Sequence, residues 1–116
     1  MLRYLFFPPA DAAQDEIWTY TVDKYGSVQA IEYIEGLHHY LQRLADKKKH
    51  WRYLPHKWVV SNDLEVQVFF SKYEHHYIFF REFPSSRIGI MSILHDKMDI
   101  PLRLKEDIEQ IMRENL

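Results

Sequence analysis

The 116-residue chain has no cysteine. That excludes thiolate zinc sites, thiol catalysis and a disulfide framework, and it fits a reducing, cytoplasmic setting. No apolar run approaches the roughly 20 residues of a membrane span. The first apolar stretch, Leu2 to Phe7, is too short for a signal-peptide core, lacks a small-residue cleavage site and reads as a first strand. Charge of one sign is not in excess either. Fifteen Lys and Arg face 17 Asp and Glu, a net charge of −2, whereas proteins that hold many phosphates are usually basic overall. Repeats, low-complexity tracts and linkers are also missing. The length suits one domain, residues 1–116. A hydrophobic content of 47% with 16% aromatics gives it a core that needs no staples.

Pro8-Pro9 stop the first strand. Asp11 then opens a helix with acidic residues near its start, as the helix dipole favours. Ala13, Ile17 and Tyr20 share one face, and Gly26 closes the helix. Ser27 can cap a second helix. Its stripe of Ile31, Ile34, Leu37, His38, Leu41, Leu44 and Ala45 is the clearest periodic signal in the chain, and it ends in Lys47-Lys48-Lys49-His50. Two helices with so short a joint make a hairpin. Val59-Val60 can start a short strand before a Ser61-Asn62-Asp63 turn. From Leu64 the pattern alternates, with Leu64, Val66, Val68 and Phe70 on one face. After a polar turn at Tyr73-Glu74-His75, the runs Tyr77–Glu82 and Arg87–Leu94 are near-continuously apolar, which marks central strands. Pro101 starts a last amphipathic helix. The order β-α-α-β-β-β-α predicts an α+β fold, a helical hairpin packed on a small twisted antiparallel sheet.

Three groups of residues bear on function. The seven histidines include His38-His39 and His75-His76, but there is no HExxH and no pair at i,i+4, and adjacent side chains point apart, so no metal site is expected. No cofactor motif is present. The basic run Lys47-Lys48-Lys49-His50, with Arg52, His56 and Lys57, is interleaved with Trp51, Tyr53 and Trp58. Cations beside stacking aromatics can bind single-stranded nucleic acid. The simpler reading is a helix end completed by lysines, followed by a loop whose aromatics cover the sheet. Arg81, His95, Asp96, Lys97, Asp99 and Arg103 are placed near one sheet edge. There His95 with Asp99 would be an oriented base. No nucleophile accompanies them, since Ser92 lies inside a strand, and a structural or partner-binding role is favoured over catalysis.

Several of these residues carry a resemblance. Ala10-Asp11, Ile17, Tyr20 or Tyr25, Gly26 and Ala30, then His76-Tyr77-Ile78-Phe79-Phe80-Arg81, then Ile93-Leu94-His95-Asp96-Lys97-Met98-Asp99, stand in the order of the RelE/ParE superfamily of bacterial toxins and resemble its ParE-like branch. The segment Trp51–Lys57 departs from the pattern, having no glycine. The resemblance implies the fold above and a toxin of a type II toxin–antitoxin module. Such a toxin poisons DNA gyrase, is neutralised by a cognate antitoxin and oligomerises through it. The alternative it leaves open is a RelE-like, ribosome-dependent mRNA endonuclease. Arg81, His95 and Lys57 would then be catalytic, drawn from a pool that also holds Lys47, Lys48, Arg52 and Lys97. An inactive interaction module of the same fold is the third possibility.

Overall fold

The structure is a computed structural model that describes residues 2–58 and 66–114. Strand β1 (Tyr4–Phe6) leads into helix α1 (Pro8–Tyr25), and α2 (Ser27–Leu44) follows at once. A two-residue strand, β2 (Arg52–Tyr53), lies between short 3-10 turns at Lys48–His50 and His56–Trp58. Then come β3 (Phe69–Tyr73), β4 (His76–Phe83), β5 (Arg87–His95) and α3 (Ile100–Glu114). The sheet runs β1-β5-β4-β3-β2. The α+β class and the element order are as expected. The strand expected from Val59, the Ser61-Asn62-Asp63 turn and Leu64 itself lie outside the described residues, and the strand expected from Leu64 begins only at Phe69, with Val66 and Val68 outside it.

The sheet is mixed rather than wholly antiparallel, because β1 pairs with β5 in parallel, Tyr4 to Ile88 and Phe6 to Ile90. The helical hairpin lies between these two strands in the chain and supplies the crossover that parallel pairing needs. The prolines do more than end β1. They occupy the first turn of α1, where a missing N–H costs nothing, so the helix starts at Pro8 and not at Asp11. Gly26 takes φ +95° between the helices, and its amide donates to the Val22 carbonyl at 2.9 Å. Ser27 does not cap α2: Gly26 holds the cap position and no side chain bonds there. The buried face of α1 is Ala10, Ile17 and Thr21, and Tyr20 is exposed. In α2 the buried stripe is Ala30, Leu37, Leu41 and Leu44, with Ile31 outside it.

Two cores lie on opposite faces of the sheet. Towards the hairpin, Ile78, Phe80, Ile88, Ile90 and Ile93 meet Leu37 and Leu41. Towards α3, Phe79, Met91 and Leu94 meet Trp58, Leu104 and Ile108. Layers on both faces explain why β4 and β5 read as continuous apolar runs. A bulge breaks their register: Phe79 faces Ser92, Phe80 faces Ile90, and Met91 is the extra residue. Ser92 therefore turns to α3, where its hydroxyl donates to Asp107 Oδ2 at 2.6 Å. Burial raises the Asp107 carboxyl, with Ser92 and Arg103 opposing.

A buried polar chain ties the hairpin to the sheet. With His38 neutral, Nε2 donates to Gln14 Oε1 at 2.7 Å and Nδ1 accepts from Tyr4 Oη at 2.6 Å. Burial lowers the His38 pKa and keeps it neutral. One histidine of the α2 stripe thus joins β1, α1 and α2.

Candidate functional site

The β3–β4 hairpin and the carboxy end of β5 carry the densest cluster of polar groups. Tyr73 pairs with His76 across a tight turn in which Glu74 adopts φ 52°. His76 pairs in turn with His95 on β5. The His75 and His95 rings stack at 6.1 Å, and His76 meets His95 edge-on at 5.2 Å. Asp96 sits at the centre. Its amide donates to the His75 carbonyl at 2.8 Å. Its carboxylate lies 3.3 Å from Lys72 Nζ, 3.6 Å from His75 Nδ1 and 3.2 Å from His95 Nδ1. Burial alone would raise the Asp96 carboxyl, but the Lys72 ammonium, with the histidines beside it, holds it below its ordinary range. His95 Nδ1 has two partners. In the neutral ring it accepts the Lys97 amide at 3.1 Å, and in the charged ring it faces Asp96.

His76 lies deeper, with Nδ1 2.6 Å from Tyr33 Oη. Burial, with His95 adding to it, pushes its pKa down to about 4. Burial also raises the Tyr33 phenol, with Tyr73 and Glu74 contributing, so Tyr33 donates and His76 accepts. His76 floors two joined hollows. One, of about 440 Å³, lies between α1 and β5 and is lined by Glu16, Ile17, Ile93 and Met98. The other, of about 600 Å³, runs along the hairpin past Tyr25, Gln29, Tyr33 and Tyr73. They share Tyr20, His76, His95 and Lys97. The result is a groove with aromatic walls and an imidazole floor. It offers hydrogen-bond donors and acceptors to a bound chain, and the Thr21 hydroxyl on its wall is engaged with the Ile17 carbonyl at 2.6 Å.

The residues singled out in the sequence divide. His95, Asp96 and Lys97 come together. Asp99 does not orient His95: its Oδ1 accepts the Leu102 amide at 3.3 Å and its carbonyl accepts the Arg103 amide at 3.0 Å, so it caps α3. Arg103 stands on α3 near Asp107. Arg81 pairs with Gly89 while His95 pairs with His76, five residues along β4, so the two are roughly 17 Å apart along the sheet. Arg81 faces α3 with its guanidinium 4.6 Å over the Phe83 ring, and its buried Nε has no hydrogen-bond partner among the described residues. Lys57 lies over Trp58 at 5.6 Å. Arg81 and His95 therefore sit at opposite ends of the β4–β5 pairing. Tyr33, Lys72 and His76 belong to the cluster although the sequence did not assign them. Counting the β4–β5 register back from its turn places His76 opposite Leu94, and only the bulge brings it to His95.

The fold is expected to lose stability in acid. The folded His76 pKa of about 4 lies below its ordinary 6.5, so the unfolded chain takes up the proton first. The stability His76 confers is full above pH 6.5 and is lost as pH falls towards 4. After allowance for solvent screening this amounts to about 2 kcal/mol. His38 and Asp96 shift in the same destabilising sense. Urea midpoints at pH 7 and pH 4 measure the loss. His76→Asn, which keeps an acceptor for Tyr33, is expected to reduce it by about half, and an unchanged pH dependence in that variant rules His76 out as the source.

A helical hairpin and a third helix enclose a five-stranded sheet, the α+β layout that the resemblance to the RelE/ParE superfamily implied. Within it, residues 4–100 match the family described as "ParE toxin of type II toxin-antitoxin system, parDE", and the chain belongs to that family. Two curated relatives, each called Toxin ParE1, come from Mycobacterium tuberculosis strains CDC 1551 / Oshkosh and ATCC 25618 / H37Rv. Each is 30% identical over 104 residues, which covers 88% of this chain and 97% of the relative. Among the described residues, no helix is long and apolar enough to cross a membrane.

Proposed function

We propose that this ParE-family toxin stops growth in the cytoplasm by binding DNA gyrase and not by cutting RNA, and that a cognate antitoxin neutralises it by filling the groove over His76. The family match supports a toxin of a toxin–antitoxin module, and the gyrase target is what the resemblance to the ParE-like branch implies. The observation that favours binding over cleavage is the strand register that holds Arg81 and His95 at opposite ends of the β4–β5 pairing. Ribonuclease chemistry needs its base, its phosphate-binding cation and its acid around one scissile bond. The groove suits an antitoxin segment because Tyr20 and Tyr25 are each 55% exposed on its rim, large amphipathic rings of the kind that anchor a partner helix. His95, Asp96 and Lys97 would contribute the polar contacts, and oligomers would form through the antitoxin.

The test combines purified gyrase with the toxin in a supercoiling assay and, in parallel, translating ribosomes with the toxin. Supercoiling is expected to fall while ribosome-bound mRNA stays intact. Growth arrest with unimpaired gyrase would refute the target. Specific mRNA cuts lost in His95→Ala and Arg81→Ala would show a nuclease. For the antitoxin, Tyr20→Glu is expected to weaken co-purification at least tenfold without changing the fold.

A further inference from the structure

The basic run around residues 47–57 takes no part in the groove. It holds five of the chain's 15 Lys and Arg residues and none of its 17 Asp and Glu. A chain of net charge −2 therefore places a third of its Lys and Arg in one short segment without a carboxylate. Among the described residues, Lys48 is the one of these cations with an ion pair, to Glu82 at 2.6 Å. Asp46, beside the segment, is taken by Arg3 at 3.1 Å. Among the described residues, Lys47, Lys49, Arg52 and Lys57 form no ion pair, and neither does Arg43 at the end of α2.

The fold gives this charge a shape. Arg43, Lys47 and His50 line a hollow of about 190 Å³ whose remaining walls are Tyr40 and Leu44. Trp51 extends the surface: its Nε1 donates to the Leu44 carbonyl at 2.7 Å, and its ring packs on Phe69 at 5.2 Å. Tyr53 packs on the same Phe69 at 5.4 Å yet remains 72% exposed, at the outer edge of the sheet. Trp51 and Phe69 thus link a cationic hollow to a solvent-facing ring.

We propose that this surface binds single-stranded nucleic acid, with a phosphate held in the hollow by Arg43, Lys47 and His50 and a base stacked on Tyr53. Cations along the backbone and a sequence-tolerant aromatic platform are the two parts such binding requires. A polyanion that carries a base at every charge engages both. An acidic peptide would engage the cations and leave Tyr53 idle. The inference is independent of the gyrase target and of the groove, since it uses other residues.

The full chain is titrated by fluorescence anisotropy against labelled 12-residue single strands of DNA and of RNA, duplex DNA and a polyglutamate peptide. Single strands are expected to bind best, with a slope of log K against log salt of about −2, the value for three neutralised phosphates. The double change Arg43→Glu with Lys47→Glu, at exposed positions, should lower that affinity at least tenfold. Tyr53→Ala should lower it about five- to hundredfold, and Tyr53→Phe should keep it. Preference of DNA over RNA or the reverse identifies the sugar, and either supports the proposal. No single-strand binding in low salt overturns it, as does binding indifferent to the charge reversals or to Tyr53→Ala. Tighter binding of duplex or of polyglutamate overturns it too, and would assign the patch to double-helical DNA or to an acidic protein.

Discussion

Phe80→Ala is expected to destabilise the toxin by about 3–5 kcal/mol, the range for truncating a large aromatic in a core that cannot collapse around the gap. Phe80 is fully buried and packs on the Trp51 ring at 5.2 Å and the Phe69 ring at 6.0 Å. It is the point where the hairpin core meets the aromatic segment that leads to β2. Proteins of this size are stable by only about 5–15 kcal/mol, so the variant should sit close to unfolding. In urea, with a slope of roughly 1–3 kcal/mol per molar, the midpoint should drop by at least 1 M. Phe79→Ala should cost a similar amount through the other core, because Phe79 points to the opposite face and packs near Trp58 at 5.8 Å. Fluorescence separates the two: Phe80→Ala should alter the emission of Trp51, and Phe79→Ala that of Trp58. Ile31→Ala, at a position 46% exposed, is the control and should change stability by less than about 0.5 kcal/mol. A Phe80→Ala loss no larger than the control's would show that the two aromatic layers are not packed as described.

Both phenylalanines were legible in the sequence, and the reason shows where such reading stops. The runs Tyr77–Phe80 and Ile88–Leu94 could be buried on both faces only inside a layered fold, and they are. Periodicity reports which residues share a face, but not what covers that face. Tyr20 and Ile31 fit the spacing of their stripes, yet each stays exposed. Local competition is equally hidden. Asp99 could orient a histidine or cap a helix, and the unsatisfied amides at the start of α3 take it. The site turns on a single extra residue. Without the bulge at Met91, His76 would face Leu94 and its ring would lie apart from His95. No pattern in the sequence announces that bulge. Its partner is equally unannounced: the bulge turns Ser92 to Asp107 on α3.

On the same helix, Leu104→Asp is expected to cost more than 4 kcal/mol and to abolish the fold and, with it, the growth arrest proposed above. Leu104 is fully buried in the stripe of Ile100, Ile108 and Ile111, against Met91 and Leu94 of the sheet. A carboxylate there would have neither water nor a cation, the most expensive way to bury a polar group. Its neighbour one turn on is Asp107, whose carboxyl burial already holds above its ordinary range, so a second charge would be repelled as well. The family match ends at Ile100, where α3 begins, so membership in the family does not by itself require this layer. The structure requires it, because without α3 the core around Phe79, Met91 and Leu94 is open to solvent. Leu102→Asp, on the same helix but 53% exposed, should leave the melting temperature within a few degrees and growth arrest intact. Circular dichroism melts of the two variants, beside growth curves on induction, make the comparison. If Leu104→Asp melts like Leu102→Asp, α3 is an appendage to the toxin and does not close the core around Phe79, Met91 and Leu94.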